Sequence, residues 1–257
     1  MNAPTRHLLL EEMTREEARQ IAPEALVVLP VGAVEQHGPH LPVGTDTFTV
    51  EHLARAAAAE AARLIRVAVA PTLPFGSSHH HLPFGGTLSL STETYYRVVF
   101  ELCESLIIGG FRRIFVLNGH GGNNELIQLA IRDLALKHPA CLAGASYWNV
   151  AWDALVEAGA HRRGNLPGHA GRFETSQVLA LRPELVHEPR PHREAVNDSN
   201  PRSFYGPYRL ESHGSWQAID GYTDSPDLGT AADGKEYLTA TEKALAKALV
   251  EFYRTTG

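Results

Sequence analysis

The sequence has little cysteine and no long apolar run, and both absences narrow the class of protein. Its 257 residues include two cysteines, Cys103 and Cys141, which lack the spacing of a disulfide framework or of a thiolate zinc site. We expect both to be reduced core residues. No stretch approaches the roughly 18 uncharged apolar residues that a membrane-spanning helix needs. The N-terminal region also lacks the apolar segment of a signal peptide, so the expected location is the cytoplasm.

Positive charge is scarce as well. The chain has 23 basic and 29 acidic residues, which gives a formal net charge of −6. Such a chain has no electrostatic footprint for a polyanion, so neither nucleic acid nor a membrane surface is expected as a partner. Histidine, in contrast, is abundant: the 14 histidines fall partly in tight clusters, which is the first indication of metal chemistry.

Strand and helix patterns alternate along most of the chain. A short, continuous apolar run such as "ALVVLPV" is typical of a strand that is buried on both faces of a parallel sheet. We predict strands at 25–31, 65–70, 114–117 and 141–147, and helices at 14–21, 47–63, 92–109, after 124, near 175–181 and at 231–253. This order indicates an α/β fold with a parallel sheet that helices cover on both faces. We predict one domain over 1–257, in which 152–228 is an irregular insertion that covers the site.

The segment "GAVEQHGPHLPVGTD" follows the first predicted strand and contains Glu35, His37, His40 and Asp46. Glu35 and His37 are two residues apart, so in an extended chain both side chains point to the same face. Asp46 could bridge two metal ions, or it could cap the helix that follows it. We interpret His40 as a solvated loop histidine.

A second motif, "NGHGGNN" at 118–124, joins a predicted strand to a helix. Its spacing differs from the dinucleotide and Walker fingerprints. It could be a glycine turn whose backbone N–H groups receive an anion, or it could present His120 as a metal ligand at the strand tip. Ligands of parallel sheets bind at the carboxyl ends of the strands, where both motifs lie.

Two further clusters add candidate residues. In "GHAGRFETS" (168–176), Glu174 comes just before a predicted helix, whose dipole favours a carboxylate there; it could also complete a set of nitrogen and oxygen ligands, which suits zinc, manganese or iron(II). His169 could donate a proton to a leaving nitrogen. The "HHH" run at 79–81 could be exposed in its glycine-rich loop, although His81 could reach a substrate.

The segments "LPVGAVEQHGPHLPVGTD", "NGHGGN" and "HAGRFETS" occur in an order and separation that resemble the creatininase, or creatinine amidohydrolase, family over residues 10 to 250. "LPFGGTLSL" and "SYW" are also similar to family segments. The resemblance implies a three-layer α/β/α sandwich with a mostly parallel sheet, two divalent metal ions (Zn, Mn or Fe(II)) and a homo-oligomer, commonly a hexamer. It implies that Asp46 bridges the two ions and that His169 faces the substrate.

Members that hydrolyse creatinine resemble "NGHYEN" and carry a ligand glutamate at the position of Gly122. This chain resembles the "NGHGGN" branch, in which we expect Glu174 to take that role, so creatinine itself is not the expected substrate. The expected site comprises the metal ligands Glu35, His37, Asp46, His120 and Glu174, the catalytic residues His169 and Glu174, and the substrate contacts His81 and Trp148.

Two functions from different classes follow. In the first, a metal-dependent amidohydrolase cleaves the C–N bond of a small-molecule amide, which can be a cyclic amide, a formamide or a peptide. A hydroxide that bridges two ions attacks the carbonyl, and His169 protonates the departing nitrogen. In the alternative, a non-enzymatic protein binds a phosphate or sugar ligand through Gly119, Gly121 and Gly122, and the acidic residues are helix caps.

Overall fold

The structure is a computed structural model that describes residues 8–193 and 212–256. The strands are β1 (Leu26–Val31), β2 (Val67–Val69), β3 (Arg113–Asn118) and β4 (Cys141–Ser146). The helices are α1 (Arg15–Ile21), α2 (Thr45–Ala61), α3 (Thr92–Ile108), α4 (Asn124–Ala135), α5 (Tyr147–Val150), α6 (Trp152–Glu157), α7 (Ala160–Arg163), α8 (Arg172–Leu181), α9 (Ser215–Ala218) and α10 (Ala231–Thr255). Short 3-10 helices lie at Leu10–Glu12, His79–Phe84, Gly121–Asn123, Pro183–Leu185 and Pro226–Leu228.

The four strands form one parallel sheet in the order β2-β1-β3-β4. Its register pairs Val31 with Asn118, and Asn118 with Ser146, so three strands end at the same level. All six residues of β1 are buried, because a central strand of a parallel sheet is covered on both faces. The segments that follow β1, β3 and β4 therefore emerge side by side at one edge of the sheet.

Two apolar clusters, one on each face of the sheet, hold the three layers together. On one face, Leu26 and Val28 of β1 pack with residues of α2, α8 and α10. On the other face, Val27 and Leu29 pack with residues of α1, α3 and α4. The alternation along β1 thus sends successive side chains into opposite clusters. The predicted α/β/α sandwich with a parallel sheet is confirmed.

Two helices that reach the site begin earlier than their sequence patterns indicate. Helix α2 begins at Thr45, so that Asp46 lies within its first turn. Helix α8 begins at Arg172, and Glu174 is likewise a first-turn residue rather than a residue before the helix. In each helix the carboxylate of the candidate site, Asp46 or Glu174, therefore lies in the first turn.

The predicted burial of both cysteines is half wrong. Cys103 is buried in α3, but Cys141 is exposed at the start of the edge strand β4. Among the described helices, none combines the length and the apolar character that a membrane span requires. Of the predicted insertion at 152–228, the part at 194–211 lies outside the described residues.

The packing of α2 on the sheet makes a direct prediction about stability. Leu53 is fully buried in the cluster on that face, so Leu53→Ala should lower the free energy of unfolding by about 2–5 kcal/mol in urea denaturation. Leu136 is 81% exposed at the end of α4, and the control Leu136→Ala should stay within about 0.5 kcal/mol of wild type. Equal losses in the two variants would contradict the assigned core.

Candidate metal centre

Five of the predicted site residues, three carboxylates and two imidazoles, meet at the carboxyl edge of the sheet. The loop after β1, the first turn of α2, the segment after β3 and the first turn of α8 supply them. All five are buried, with exposed fractions of 7% or less: Glu35, His37, Asp46, His120 and Glu174. Carboxylates are almost never fully buried unless they are paired or bind a cation.

Asp46 lies between the two imidazoles. Its Oδ1 is 3.1 Å from Nε2 of His37, and its Oδ2 is 3.1 Å from Nδ1 of His120. Gly44 is the N-cap of α2, and no side chain makes a capping hydrogen bond at this helix. The capping role is therefore excluded for Asp46, whose two oxygens face two separate groups of possible ligands.

The first group is formed by His37, Asp46 and Glu174, whose ligand atoms lie within 4.8 Å of one another. Oε2 of Glu174 is 3.7 Å from Nε2 of His37 and accepts the backbone N–H of Ala170. The helix dipole alone does not explain this position, because the carboxylate is turned away from solvent. One imidazole nitrogen and two carboxylates thus surround one possible cation position.

The second group lies on the other side of Asp46. Nδ1 of His120 is 3.1 Å from Oε1 of Glu35, and His80 brings a third ligand atom within 4.8 Å. The ring of His80 is parallel to that of His120, with an interplanar angle of 5°. His80 was not among the predicted residues, although it belongs to the "HHH" run; His79 of that run is exposed and His81 is buried.

Several buried polar atoms that converge on these two groups fit a cation. Glu35 Oε2 has no hydrogen-bond partner in the part of the chain that the structure describes, which is unusual for a buried polar atom. His37 Nε2 and Asp46 Oδ2 make their contacts at 3.1 Å with Asp46 Oδ1 and His120 Nδ1, within the cluster itself. The outer nitrogens, in contrast, have partners: His37 Nδ1 lies 3.1 Å from the Glu35 carbonyl oxygen, and His120 Nε2 lies 3.1 Å from that of Ser77. Such contacts fix ligand histidines with the inner nitrogen free for a metal.

In the absence of a cation, the carboxylates of the cluster raise the pKa values of the neighbouring histidines. Burial by itself lowers the pKa of His37, but the carboxylates of Asp46, Glu174 and Glu35 outweigh it and raise the pKa to about 10. Burial likewise opposes the charged form of His120, yet Glu35 and Asp46 raise its pKa well above the ordinary value. Burial raises the pKa of Glu174 to about 8, although His37 opposes this shift. At neutral pH, the metal-free site is therefore protonated.

Two asparagines of the "NGHGGNN" turn position His120. Asn118 accepts the backbone N–H of His120 and donates to its carbonyl and to the hydroxyl of Ser146 at the tip of β4. Asn123 donates to Asn118 and to the carbonyl of Gly32 after β1. The turn thus ties three neighbouring strand tips together, which neither reading of the motif predicted.

Gly122 has no room for a side chain. A Cβ at this position would lie 2.3 Å from the carbonyl oxygen of Ser77 and 2.6 Å from Nε2 of His120. The loop that contains Ser77 therefore occupies the space that a glutamate at this position would need. In this chain the carboxylate next to His37 comes from Glu174, as expected from the motif.

The predicted catalytic and substrate-contact histidines lie beside these five side chains. Nδ1 of His169 is 3.6 Å, and Nε2 of His81 is 3.8 Å, from Oε1 of Glu35. Their rings stack, with centroids 4.3 Å apart. Burial and the nearby His37 lower the pKa of His169 to about 3, so its ring is neutral at physiological pH. A pocket opens onto this cluster, and His81, His169 and the buried Trp148 are among the residues that line it.

Besides His80, three residues in or beside the site were missed or misjudged. The prediction that His40 is solvated is wrong: it is buried, and its Nε2 is 2.9 Å from Oγ1 of Thr175 in α8. Gln36 contacts both His81 and His169, and its position between two predicted ligands was the only signal. Trp216 of α9 lies against both rings, and no pattern in the irregular stretch indicated it.

Comparison with known proteins identifies relatives of this chain. The model of the family "Creatininase: Creatinine amidohydrolase" matches residues 11–249. The creatinine amidohydrolase of Pseudomonas putida is 34% identical over 204 residues, which cover 73% of this chain and 74% of that protein. The mycofactocin precursor peptide peptidase of Mycobacterium ulcerans is 35% identical over 165 residues, or 62% of this chain and 60% of that protein.

A solved structure of a mutant creatininase of the Zn–Zn type has a TM-score of 0.75 and 28% sequence identity to this chain. The superposition covers 96% of this chain and 98% of that chain. The likeness therefore extends over nearly the whole chain.

The raised pKa values predict that cation binding competes with protons. The pKa values of about 10 for His37 and about 8 for Glu174 mean that both groups carry protons at neutral pH and must release them to a metal. Zinc affinity should therefore rise as the pH increases toward 8. Calorimetric titration in buffers of different ionisation enthalpy measures the released protons, and Glu174→Gln should release fewer. A proton count of zero in the wild type would contradict the assignment.

Proposed function

The chain belongs to the creatininase family, and from this premise we propose that it is a metal-dependent hydrolase of C–N amide bonds that holds two divalent cations. The observation that carries the proposal is the buried Asp46, which offers one oxygen to the group of His37 and the other to the group of His120. A carboxylate in this position is suited to bridge two ions.

The donor set supports zinc, manganese or iron(II) as the cations. Imidazole nitrogens and carboxylate oxygens are ligands that these ions share, and one relative has a Zn–Zn form. We propose that His37, Asp46 and Glu174 hold one ion, and that Glu35, Asp46 and His120 hold the other. When bound, such a pair acidifies a water molecule and polarises a carbonyl oxygen.

The chain's own groups would orient the substrate and move the proton. Nδ1 of His169 faces the cluster at 3.6 Å from Glu35, and its neutral ring can accept a proton and pass it to the departing nitrogen. Glu174 is at once a proposed ligand and the proposed second catalytic group. His81 and Trp148 line the pocket, where we propose that they contact the substrate.

The pocket supports a small amide without a negative charge. Among its described lining residues are Trp148, Leu166, Pro167 and Trp216, and none of the described residues that line it is lysine or arginine. An anionic substrate would therefore have to rely on the cations alone. By name, the relatives act on creatinine and on a precursor peptide, and the absence of a glutamate at Gly122 argues against creatinine here.

The homo-oligomer and the cytoplasmic location stay predictions.

The alternative of a phosphate or sugar cradle has no support. The backbone N–H of Gly119 donates to the carbonyl of Val31, so it is not available to an anion. The acidic residues that the alternative treats as caps are buried together instead, and Asp46 does not cap α2.

Removal of the central carboxylate should abolish metal binding and activity. Asp46→Ala should lose its zinc or manganese in elemental analysis. Its hydrolysis of cyclic amides, formamides or short peptides should fall by more than about 100-fold, since even residues that only support a ligand matter by 10- to 100-fold. Asp153→Ala, on the exposed surface of α6, is the matched control and should keep both. Wild-type metal content in Asp46→Ala would refute the proposal.

The two-ion arrangement predicts a change in stoichiometry. Glu174→Gln removes a charged ligand from the group of His37 and leaves the group of His120 intact. The variant should therefore bind about one zinc ion where the wild type binds about two, as expected for a two-metal site. Equilibrium dialysis with elemental analysis gives the ratio. An unchanged ratio, or a wild-type ratio of one, would show that Glu174 does not serve a second ion.

A further inference from the structure

Gln36 is a buried residue whose side-chain amide contacts three separate segments. Its Oε1 accepts the backbone N–H of Gly38 at 2.9 Å, which identifies the other end of the amide as the NH2 group. That Nε2 lies 2.9 Å from Nδ1 of His81, 3.0 Å from Nε2 of His169 and 2.9 Å from the carbonyl oxygen of Gly221. An amide nitrogen has two hydrogens to donate, so only two of these three contacts can receive one.

The donors and acceptors around the amide determine which two contacts receive its hydrogens. The carbonyl of Gly221 can only accept, and it takes one amide hydrogen. Nε2 of His169 also lies 3.0 Å from the backbone carbonyl oxygen of Gln36, which again can only accept. Both carbonyls are satisfied when Nε2 of His169 carries a hydrogen, and the second amide hydrogen then goes to Nδ1 of His81.

We propose that Gln36 is a positioning residue that sets His81 and His169 to opposite roles at their site-facing nitrogens. His81 accepts at Nδ1 and therefore presents Nε2–H toward the site, while His169 donates at Nε2 and presents an unprotonated Nδ1. The two inner nitrogens lie 3.8 and 3.6 Å from the same oxygen of Glu35. One amide thus creates a hydrogen-bond donor beside a proton acceptor.

The donor on His81 and the acceptor on His169 together suit hydrolysis of an amide at its carbonyl group. The N–H of His81 can hold an oxygen that gains negative charge, and Nδ1 of His169 can accept a proton from an attacking or bound group. These uses rest on the proposed hydrolase function. The assignment of the tautomers does not depend on that function, because it follows from the contacts of Gln36.

The same amide also anchors the turn that carries Trp216. A Cβ on Gly221 would lie 2.6 Å from Oε1 of Gln36, and Gly221 has a φ of +70°, so glycine is required there. The N–H of Gly221 donates to the carbonyl of Trp216, whose ring lies 4.8 Å from that of His81 and 5.2 Å from that of His169. Gln36 therefore links both histidines to the aromatic wall that packs on them.

Histidine tautomers can be read directly by two-bond 1H–15N NMR of protein labelled with 15N-histidine, without any substrate. The spectra would be recorded for the metal-free and the zinc-loaded protein, and His81→Asn and His169→Asn would assign the signals. We expect Nε2–H for both rings. A wild-type spectrum with Nδ1–H at either ring would overturn the proposal. Because this measurement uses the wild-type protein, it does not depend on whether a Gln36 variant folds.

Gln36→Glu tests the proposal by replacing the amide donor that faces His81 with a carboxylate acceptor. The introduced carboxylate can accept from the N–H of Gly38 but offers His81 an acceptor where the amide offered a donor, so His81 should shift to the Nδ1–H form while His169 keeps Nε2–H. Gln128 also donates to a backbone carbonyl, that of Gly144, at the outer surface, so Gln128→Glu is the matched control and should leave both rings unchanged. A His81 ring that keeps Nε2–H in Gln36→Glu would overturn the proposal.

Zinc content separates this inference from the proposed function. Elemental analysis of the wild type tests the metal centre, whereas the tautomers of the metal-free protein test Gln36. A protein that binds no zinc but shows Nε2–H at both rings would refute the function and retain the role of Gln36. The opposite pattern would retain the function and refute the role of Gln36.

Discussion

The mutual repulsion of three buried carboxylates, Glu35, Asp46 and Glu174, is the constraint on which the rest of the site depends. Burial disfavours a charged carboxylate in general, and close neighbours of like charge disfavour it further. In the metal-free protein, protons on His37, His120 and Glu174 offset this repulsion, as their raised pKa values show. Two divalent cations would replace those protons and satisfy the buried Oε2 of Glu35, which has no hydrogen-bond partner among the described residues. The cluster therefore favours positive charge, and its side chains belong to a fold that must hold them rigidly.

The parallel sheet supplies that rigidity. Because Val31, Asn118 and Ser146 pair in register, the loops after β1, β3 and β4 leave the sheet at the same level. Asn118 and Asn123 then tie these tips together, so His120 cannot move independently of the loop after β1. In our proposal Gln36, which is not a metal ligand, orients His81 and His169 beside this cluster. The same logic of fixing one ring nitrogen to free the other recurs at His37 and at His120.

The sequence was sufficient to predict the sheet and the five side chains that are buried together at its edge, because apolar strands and clusters of histidine and acidic residues leave local patterns. It predicted the meeting of Glu35 with His120 because both follow strands of one parallel sheet. It was insufficient wherever a role depends on distant chain segments. Nothing local distinguishes a buried His40 from a solvated one, since its burial comes from α8. Gln36 and Trp216 act through contacts across long sequence separations, and the exposure of Cys141 follows from the edge position of β4.

We propose that Asp46 stands between two cations rather than within a network of protons. Anomalous diffraction at the zinc edge, from crystals of the zinc-loaded protein, distinguishes the two arrangements. We expect two peaks about 3.5 to 4 Å apart, one beside His37 and Glu174 and the other beside Glu35 and His120, with Asp46 between them. A single peak, or peaks that lie away from Asp46, would contradict it.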